Sequence, residues 1–171
     1  NCSKQITLNN DKVTSLYVSG SWTLPTDQSW GNSKSITIIV ANGATINLAG
    51  HTLSSNGNST LIVMPGGTIT GNGNLNFSTT MTNSSYNGGD INVNTFSASA
   101  GNLYNYGNMT VNTLNGGGST FINHNKITVQ DNFISYGATI DNACRFECTN
   151  AMSAHDIVVG NNSYLHAGSL A

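Results

Sequence analysis

The residues that could perform acid–base chemistry are few and dispersed along the chain. Glycoside hydrolysis requires two carboxyl groups facing one bond, about 5–9.5 Å apart, and lyase chemistry requires a carboxylate-bound cation beside a base. Glu147 has no second carboxylate beside it in the repeat described below. The 171-residue chain has seven acidic side chains, namely Asp11, Asp27, Asp90, Asp131, Asp141, Glu147 and Asp156. We therefore predict that the protein is not an enzyme and has no catalytic residues.

The cysteines and histidines lack the spacing of metal ligands. Cys144 and Cys148 are four residues apart, and the nearest histidine to them is His155. Together with Cys2 the cysteines are odd in number, so at least one thiol has no partner within the chain. We interpret them as small residues packed in or near the core, with a disulfide involving Cys2 as the alternative. We expect neither a metal site nor a cofactor.

Four polar residues near the C-terminal end form the best candidate for a ligand-contacting surface. Lys126 precedes Arg145 by the same interval that separates Glu147 from His166. A repeat of that length would bring all four side chains onto one strand face. One interpretation is a small ligand-binding patch. The other, which we favour, is ion pairing between neighbouring strands on a solvated face, which stabilises a protein only slightly.

Three tyrosines offer a second kind of chemistry. Tyr104, Tyr106 and Tyr136 could stack on sugar rings, since an aromatic face suits the apolar face of a pyranose. Such stacking makes glycans one expected class of partner. More often, residues of this kind cover corners or join a hydrophobic core.

The elements that position these residues follow from an internal repeat of 18 to 19 residues. The repeat is clearest in segments 101–118, 119–137, 138–156 and 157–171. Within it the second and third apolar columns are two residues apart, which places both on one face of a strand. The residues between them point to solvent and are Thr110, Thr128, Glu147 and His166. The four apolar columns are Leu103, Phe121, Ile140 and Val159; Met109, Ile127, Phe146 and Leu165; Val111, Val129, Cys148 and Ala167; and Leu114, Phe133, Met152 and Leu170.

The same pattern extends toward the N-terminus in longer coils. Ile91, Val93 and Phe96 match the second to fourth columns, and Tyr86 approximates the first. We predict an all-β fold, a right-handed parallel β-helix or β-solenoid of about six short coils. Residues 36–171 form the coils, the last of them incomplete, and residues 1–35 form an N-terminal cap that contains Trp22 and Trp30.

Stacked coils superpose like residues, so asparagines at the corners can form ladders of side-chain amides. Asn105, Asn123 and Asn142 occupy equivalent positions in three coils. An amide ladder would account for part of the asparagine content on structural grounds.

Composition excludes several classes of function. Charged residues make up 7% of the chain, against about 25% in an average soluble domain. The formal net charge is -2 and the five cations are scattered, so there is no basic stripe that could neutralise nucleic-acid phosphates. No apolar run approaches the ~20 residues of a membrane-spanning helix. We expect no nucleic-acid partner and no membrane-spanning segment.

The repeat also resembles a known family. The segments STFINHNKITVQDNFISYGATIDNACRFECTN and SYLHAGSL are similar to the β-helical repeats of bacterial cell-surface proteins that carry LruC-type domains, which are common among Bacteroides-like organisms. The SWTLP opening is similar to the segment that precedes those repeats. The resemblance implies a secreted or lipid-anchored protein of the cell envelope, with no catalytic residues to carry over.

These observations favour a non-enzymatic structural or adhesive β-solenoid module at the bacterial cell surface or outside the cell. We read the chain as an exported segment that lacks its signal. The last coil leaves its apolar side uncovered, so we expect it to contact a second copy, another chain or a further domain. The alternative function is a carbohydrate-binding or polysaccharide-degrading β-helix.

Overall fold

The computed structural model describes residues 15–30, 36–55, 58–77, 84–135 and 137–170, and these ranges contain strands and connecting segments but no helix. The strand pairings among them are all parallel. The strands are β1 (Ser15–Val18), β2 (Ser21–Thr23), β3 (Gln28–Trp30), β4 (Ile36–Val40), β5 (Thr45–Asn47), β6 (Thr52–Ser55), β7 (Ser59–Val63), β8 (Thr68–Phe77), β9 (Ser84–Asn87), β10 (Asp90–Asn105), β11 (Asn108–Asn123), β12 (Lys126–Val129), β13 (Phe133–Ile134), β14 (Thr139–Asn142), β15 (Arg145–Met152), β16 (Asp156–Val159) and β17 (Tyr164–Leu170).

The strands stack into a β-solenoid of about seven turns, which confirms the predicted fold class. Eight stacked segments, separated by seven steps along the axis, lie on each of three faces, which we name after their first strands. Face 1 begins with β1 and continues through β4, β7, β9, 102–105, 120–123, β14 and β16. Face 2 begins with β2 and continues through β5, 68–71, 90–93, 108–111, β12, 145–148 and 164–167. Face 3 begins with β3 and continues through β6, 74–77, 95–98, 113–116, β13, 151–152 and 169–170.

The solenoid starts earlier than the sequence predicted. Strands β1, β2 and β3 pair in register with β4, β5 and β6, so residues 15–30 are a coil of the solenoid and do not cap it. Trp22 is 5% exposed and stacks in register with Ile46 of the next coil. The remainder of the predicted cap, 1–14 and 31–35, lies outside the described residues. The predicted right-handed coiling rests on the general preference of parallel crossover connections.

Three of the four predicted apolar columns are confirmed. The second and third pair in register from β11 through β12 and β15 to β17, and the fourth runs from Leu114 through Phe133 and Met152 to Leu170. In the last coil these side chains are less buried, and Leu170 is 68% exposed. No described strand stacks on their far side.

The first column was wrong at both of its ends. In the last coil Ile157, and not Val159, stacks on Ile140, because the interval between equivalent residues shortens by two there. At the other end Ser85 stacks on Leu103 while Tyr86 stacks outside on Tyr104. A displacement of one residue along a strand moves a side chain to the opposite face, which explains why Tyr86 is 42% exposed.

Aromatic rings fill the interior of the C-terminal coils. Phe133 is 1% exposed and meets Phe121 and Phe146 edge to face, with ring centroids 5.7 and 6.0 Å apart. Such contacts add to the hydrophobic stabilisation of the buried rings. Phe133 is thus held between two neighbours and packs against both.

A ladder of four buried asparagines runs along the corner between faces 1 and 2. We call it the amide ladder, and its members, which have no exposed surface, are Asn87, Asn105, Asn123 and Asn142. In each of the first three members the side-chain nitrogen donates to the side-chain oxygen of the next member, at 2.8, 2.8 and 2.7 Å in chain order. All four side-chain nitrogens also donate to the backbone carbonyl oxygen of a residue in the following coil, at 2.9–3.1 Å. The predicted ladder is confirmed and is one member longer.

Removing one amide from this ladder should be costly. We expect Asn123→Ala to lower the free energy of unfolding by about 1–3 kcal/mol, because it leaves buried polar groups without partners. Asn112→Ala is the matched control, since Asn112 lies on the same strand, β11, but is exposed. Its effect should stay within about 0.5 kcal/mol. Chemical denaturation measures both values, and equal losses would contradict the ladder.

A second substitution pair tests the direction of side chains on β13. Phe133→Ala should lower the free energy of unfolding by about 3–5 kcal/mol, since it opens a cavity between two packed rings. The neighbouring substitution Ile134→Ala should change it far less, because Ile134 is 46% exposed. Thermal unfolding of both variants distinguishes them. A larger loss for Ile134→Ala would mean that the strand faces the other way.

Candidate functional site

The solenoid brings together the four polar residues that the repeat singled out. On the outward side of face 2, Lys126 stacks on Arg145, and Glu147 stacks between Thr128 and His166. We call Lys126, Arg145, Glu147 and His166 the charged patch. The strand register therefore places the four residues on one face, as predicted. Their role in ligand binding stays a prediction.

Contacts within the charged patch occupy its most reactive groups. Arg145 Nη2 donates to Glu147 Oε1 at 2.6 Å. The same guanidinium lies 4.9 Å from the centre of the Tyr164 ring, a cation–π distance. The Tyr164 ring in turn stacks beside His166, with centroids 6.4 Å apart. Arginine and carboxylate thus already have partners before any ligand is present.

Electrostatics within the patch hold Glu147 in its ionised form. The hydrogen bond from Arg145 lowers the pKa of Glu147, and the charges of Arg145, Lys126 and His166 act in the same direction. The reciprocal hydrogen bond and charge raise the pKa of Arg145. A carboxylate with a lowered pKa is a poor proton donor near neutral pH. Glu147 is therefore unsuited to act as a general acid.

The hydroxyl of Thr128 is less exposed than its position in the repeat suggested. It projects from the outward side of face 2, between Thr110 and Glu147 in register. Its hydroxyl oxygen is nevertheless buried and has no hydrogen-bond partner among the described residues. Because this oxygen is buried, this part of face 2 is less solvated than the repeat implied. An unpaired buried hydroxyl also destabilises the folded state.

The described cysteines, and the other residues of types that bind metals, are not grouped into a reactive centre. Cys148 is fully buried in the third column, as expected, and burial raises the pKa of its thiol, which makes it a weaker nucleophile. Cys144 is partly buried, and both are free thiols. Cys2 lies outside the described residues. Among residues that the structure does describe, no three His, Cys, Asp or Glu side chains are grouped to hold a metal ion.

The predicted sugar-stacking tyrosines are packed against other rings. Tyr104 stacks on Tyr86 with centroids 5.1 Å apart, and Tyr106 stacks on His124 at 4.8 Å. Each ring therefore has one face covered by its neighbour in an adjacent coil. Tyr136 lies outside the described residues. Sugar stacking on these tyrosines stays a prediction.

Sequence reasoning missed a concave site at the corner between faces 2 and 3. It has a volume of about 320 Å³, and we call it the amide groove. Asn94, Asn112 and Gln130 each follow directly on a valine of the third column, so reading one position further along the repeat would have revealed them. The lining residues are Thr70, Gly71, Asn72, Asn92, Val93, Asn94, Asn112 and Gln130.

The amides of the groove differ from those of the ladder in their hydrogen bonds. Asn94 Nδ2 donates to Asn74 Oδ1 at 3.1 Å and to Thr95 Oγ1 at 3.4 Å. The other groove side chains with carboxamides make no hydrogen bond to any described residue and are exposed; they are Asn72, Asn92, Asn112 and Gln130. Four carboxamides are thus left available for a ligand or for water.

The ion pair of the charged patch predicts a measurable shift in titration. In the Arg145→Gln variant the pKa of Glu147 should rise toward its ordinary value, and in Lys126→Gln it should rise less. In the unaltered chain the lowered pKa means that the pair stabilises the fold above the ordinary glutamate pKa. This stabilisation is lost as pH falls through the lowered pKa. Carboxyl chemical shifts followed by NMR against pH measure the effect, and an unchanged titration in Arg145→Gln would contradict it.

Comparisons with known proteins add no identity to this description. Neither protein-family models, nor curated proteins, nor solved structures gave a match to the chain. The described residues also include no helix long and apolar enough to cross a membrane. Resemblance to the repeats of LruC-type surface proteins stays a prediction, and function must be argued from the solenoid and its surfaces.

Proposed function

We propose that the chain is a non-enzymatic structural or adhesive module of the bacterial cell exterior. The observation that carries this proposal is the continuous stacking of its coils, in which each described strand before the last coil pairs in parallel with a strand of the next coil along the axis. In such solenoids each coil supports its neighbours, and the result is an elongated body. With strands about 4.8 Å apart, seven turns rise about 34 Å. A stalk or spacer requires this kind of body.

The chemistry of the titratable groups supports a non-enzymatic role. The shifted groups are Arg145 and Glu147, which satisfy each other on an exposed face, and Cys148, which is enclosed in the core. Shifted pKa values mark active sites when the responsible groups meet in a cleft. Here an ion pair and simple burial account for them.

The adhesive part of the proposal is supported by the outward side of face 1. A row of apolar and aromatic residues lies in register there from coil to coil: Tyr17, Ile39, Ile62, Tyr86, Tyr104 and Ile122. Beside it runs a row of small polar residues: Ser15, Thr37, Thr60, Ser84, Asn102 and Thr120. Exposed apolar surface flanked by polar residues is typical of interaction sites.

An extracellular location is part of the same proposal. It is supported by the resemblance to cell-surface repeats and by a surface rich in uncharged polar residues, with only 7% charged residues in the chain. Contact of the C-terminal coil with a second copy or another chain also stays a proposal.

A turnover assay distinguishes this function from the alternative of a polysaccharide-degrading enzyme. The purified chain should leave neutral and acidic polysaccharides intact, because Glu147 is paired with Arg145 and held ionised, and no three His, Cys, Asp or Glu side chains of the described ranges are grouped to hold a metal ion. New reducing ends, unsaturated products and polymer length measure the outcome. Depolymerisation that disappears in Glu147→Gln, and persists in the control Asp156→Asn, would overturn the non-enzymatic assignment and place a catalytic group in the charged patch.

A further inference from the structure

The amide groove is large enough to hold part of a ligand. Its volume of about 320 Å³ lies at the lower end of the range for small-molecule pockets, about 300–1,000 Å³. The groove crosses several coils, since its lining extends from Thr70 to Gln130. It therefore suits a ligand that is longer than it is wide.

A local irregularity of the solenoid shapes this groove. Between Val93 and Thr95 the pairing with β8 shifts by one residue, so that Asn72 and Gly73 together oppose Asn94. This is a β-bulge, a feature that redirects side chains and is frequent beside functional sites. Gly71, which opens the bulge, has a φ of 108°, and a Cβ there would lie 2.7 Å from Asn47 Oδ1. Only glycine fits this position without strain.

The groove presents its amides on a fixed framework. Asn94, Asn112 and Gln130 follow buried valines whose exposed fractions are 4%, 0% and 0%. Because those valines pack in the core, the backbone at the amides is held in place. Successive coils repeat every 4.8 Å or so, which gives the ligand a regularly spaced row of partners and reduces the ordering required on binding.

The chemistry of the lining selects for hydroxyl groups. A carboxamide offers two donors and an acceptor oxygen, and a hydroxyl also donates and accepts, so the two pair in either direction. Among the described residues that line the groove none is charged. An anionic ligand would find no cation, and phosphate binding depends on such cations or on oriented backbone N–H groups.

We propose that the amide groove binds a neutral oligosaccharide, laid along the solenoid axis and held by the side chains of Asn72, Asn92, Asn112 and Gln130. The proposal rests on the adhesive part of the proposed function, to which it adds a site and a class of ligand. It does not require the tyrosines of face 1 or the charged patch.

NMR titration of the intact chain tests the site directly. The probes are cellohexaose, xylohexaose, mannohexaose and maltohexaose, with hexagalacturonate as the acidic comparison. We expect at least one neutral probe to shift the side-chain amide signals of Asn72, Asn92, Asn112 and Gln130. Asn112→Ala and Gln130→Ala should each weaken binding by about two- to tenfold, the effect of one lost hydrogen bond.

Asn76→Ala is the matched control, since Asn76 is an exposed amide on face 3 that does not line the groove, and its loss should leave the Kd unchanged. Circular dichroism of each variant verifies that it is folded. Absence of binding by all four neutral probes would overturn the proposal, as would shifts confined to the tyrosines of face 1 or binding of hexagalacturonate alone. Cleavage of a probe that still shifts the groove amides would support the site while overturning the non-enzymatic function.

Discussion

The structure depends on one constraint, the in-register parallel stacking of like residues. Each coil must bury the same kind of side chain as the coils on either side of it, and a polar group that is buried at a corner must find its partner along the axis. The amide ladder satisfies this requirement at the corner between faces 1 and 2, where each asparagine donates to the next. A buried amide without such partners would destabilise the fold, so the ladder makes a polar corner compatible with a dry interior.

The same constraint separates the residues that maintain the fold from those available for function. Inward side chains fill the core, and the apolar residues of the columns offer no polar group to a ligand. Two outward surfaces, the charged patch on face 2 and the amide groove at the corner between faces 2 and 3, have different properties. At the C-terminal end, Arg145 and Glu147 neutralise each other. Toward the middle coils, the groove amides are exposed and have no such partners, which makes them the better candidates for recognition.

Much of this arrangement could be predicted from sequence where the interval is constant. The second to fourth columns, the charged patch and the amide ladder all lie in coils of 18 to 19 residues, so alignment alone superposed them. The first coil escaped because Ser15 stacks on Thr37, 22 residues later, an interval outside the repeat. Tyr86 was misplaced by one residue beside a change of coil length. The row of Asn94, Asn112 and Gln130 follows the repeat, one position after the third column. The groove itself was missed because the bulge at Asn72 and Gly73 that shapes it leaves no periodic signal.

Two sets of amides in this chain are in opposite states: the ladder amides are fully hydrogen-bonded, and the groove amides Asn72, Asn92, Asn112 and Gln130 are exposed without partners in the described chain. Hydrogen exchange of the side-chain amides, resolved by NMR, measures this difference most directly. We predict slow exchange for Asn87, Asn105, Asn123 and Asn142, and exchange at the rate of exposed amides for Asn72, Asn92, Asn112 and Gln130. Similar exchange rates in the two sets would contradict the account, because the ladder would then not support the stack and the groove would have no special availability for a ligand.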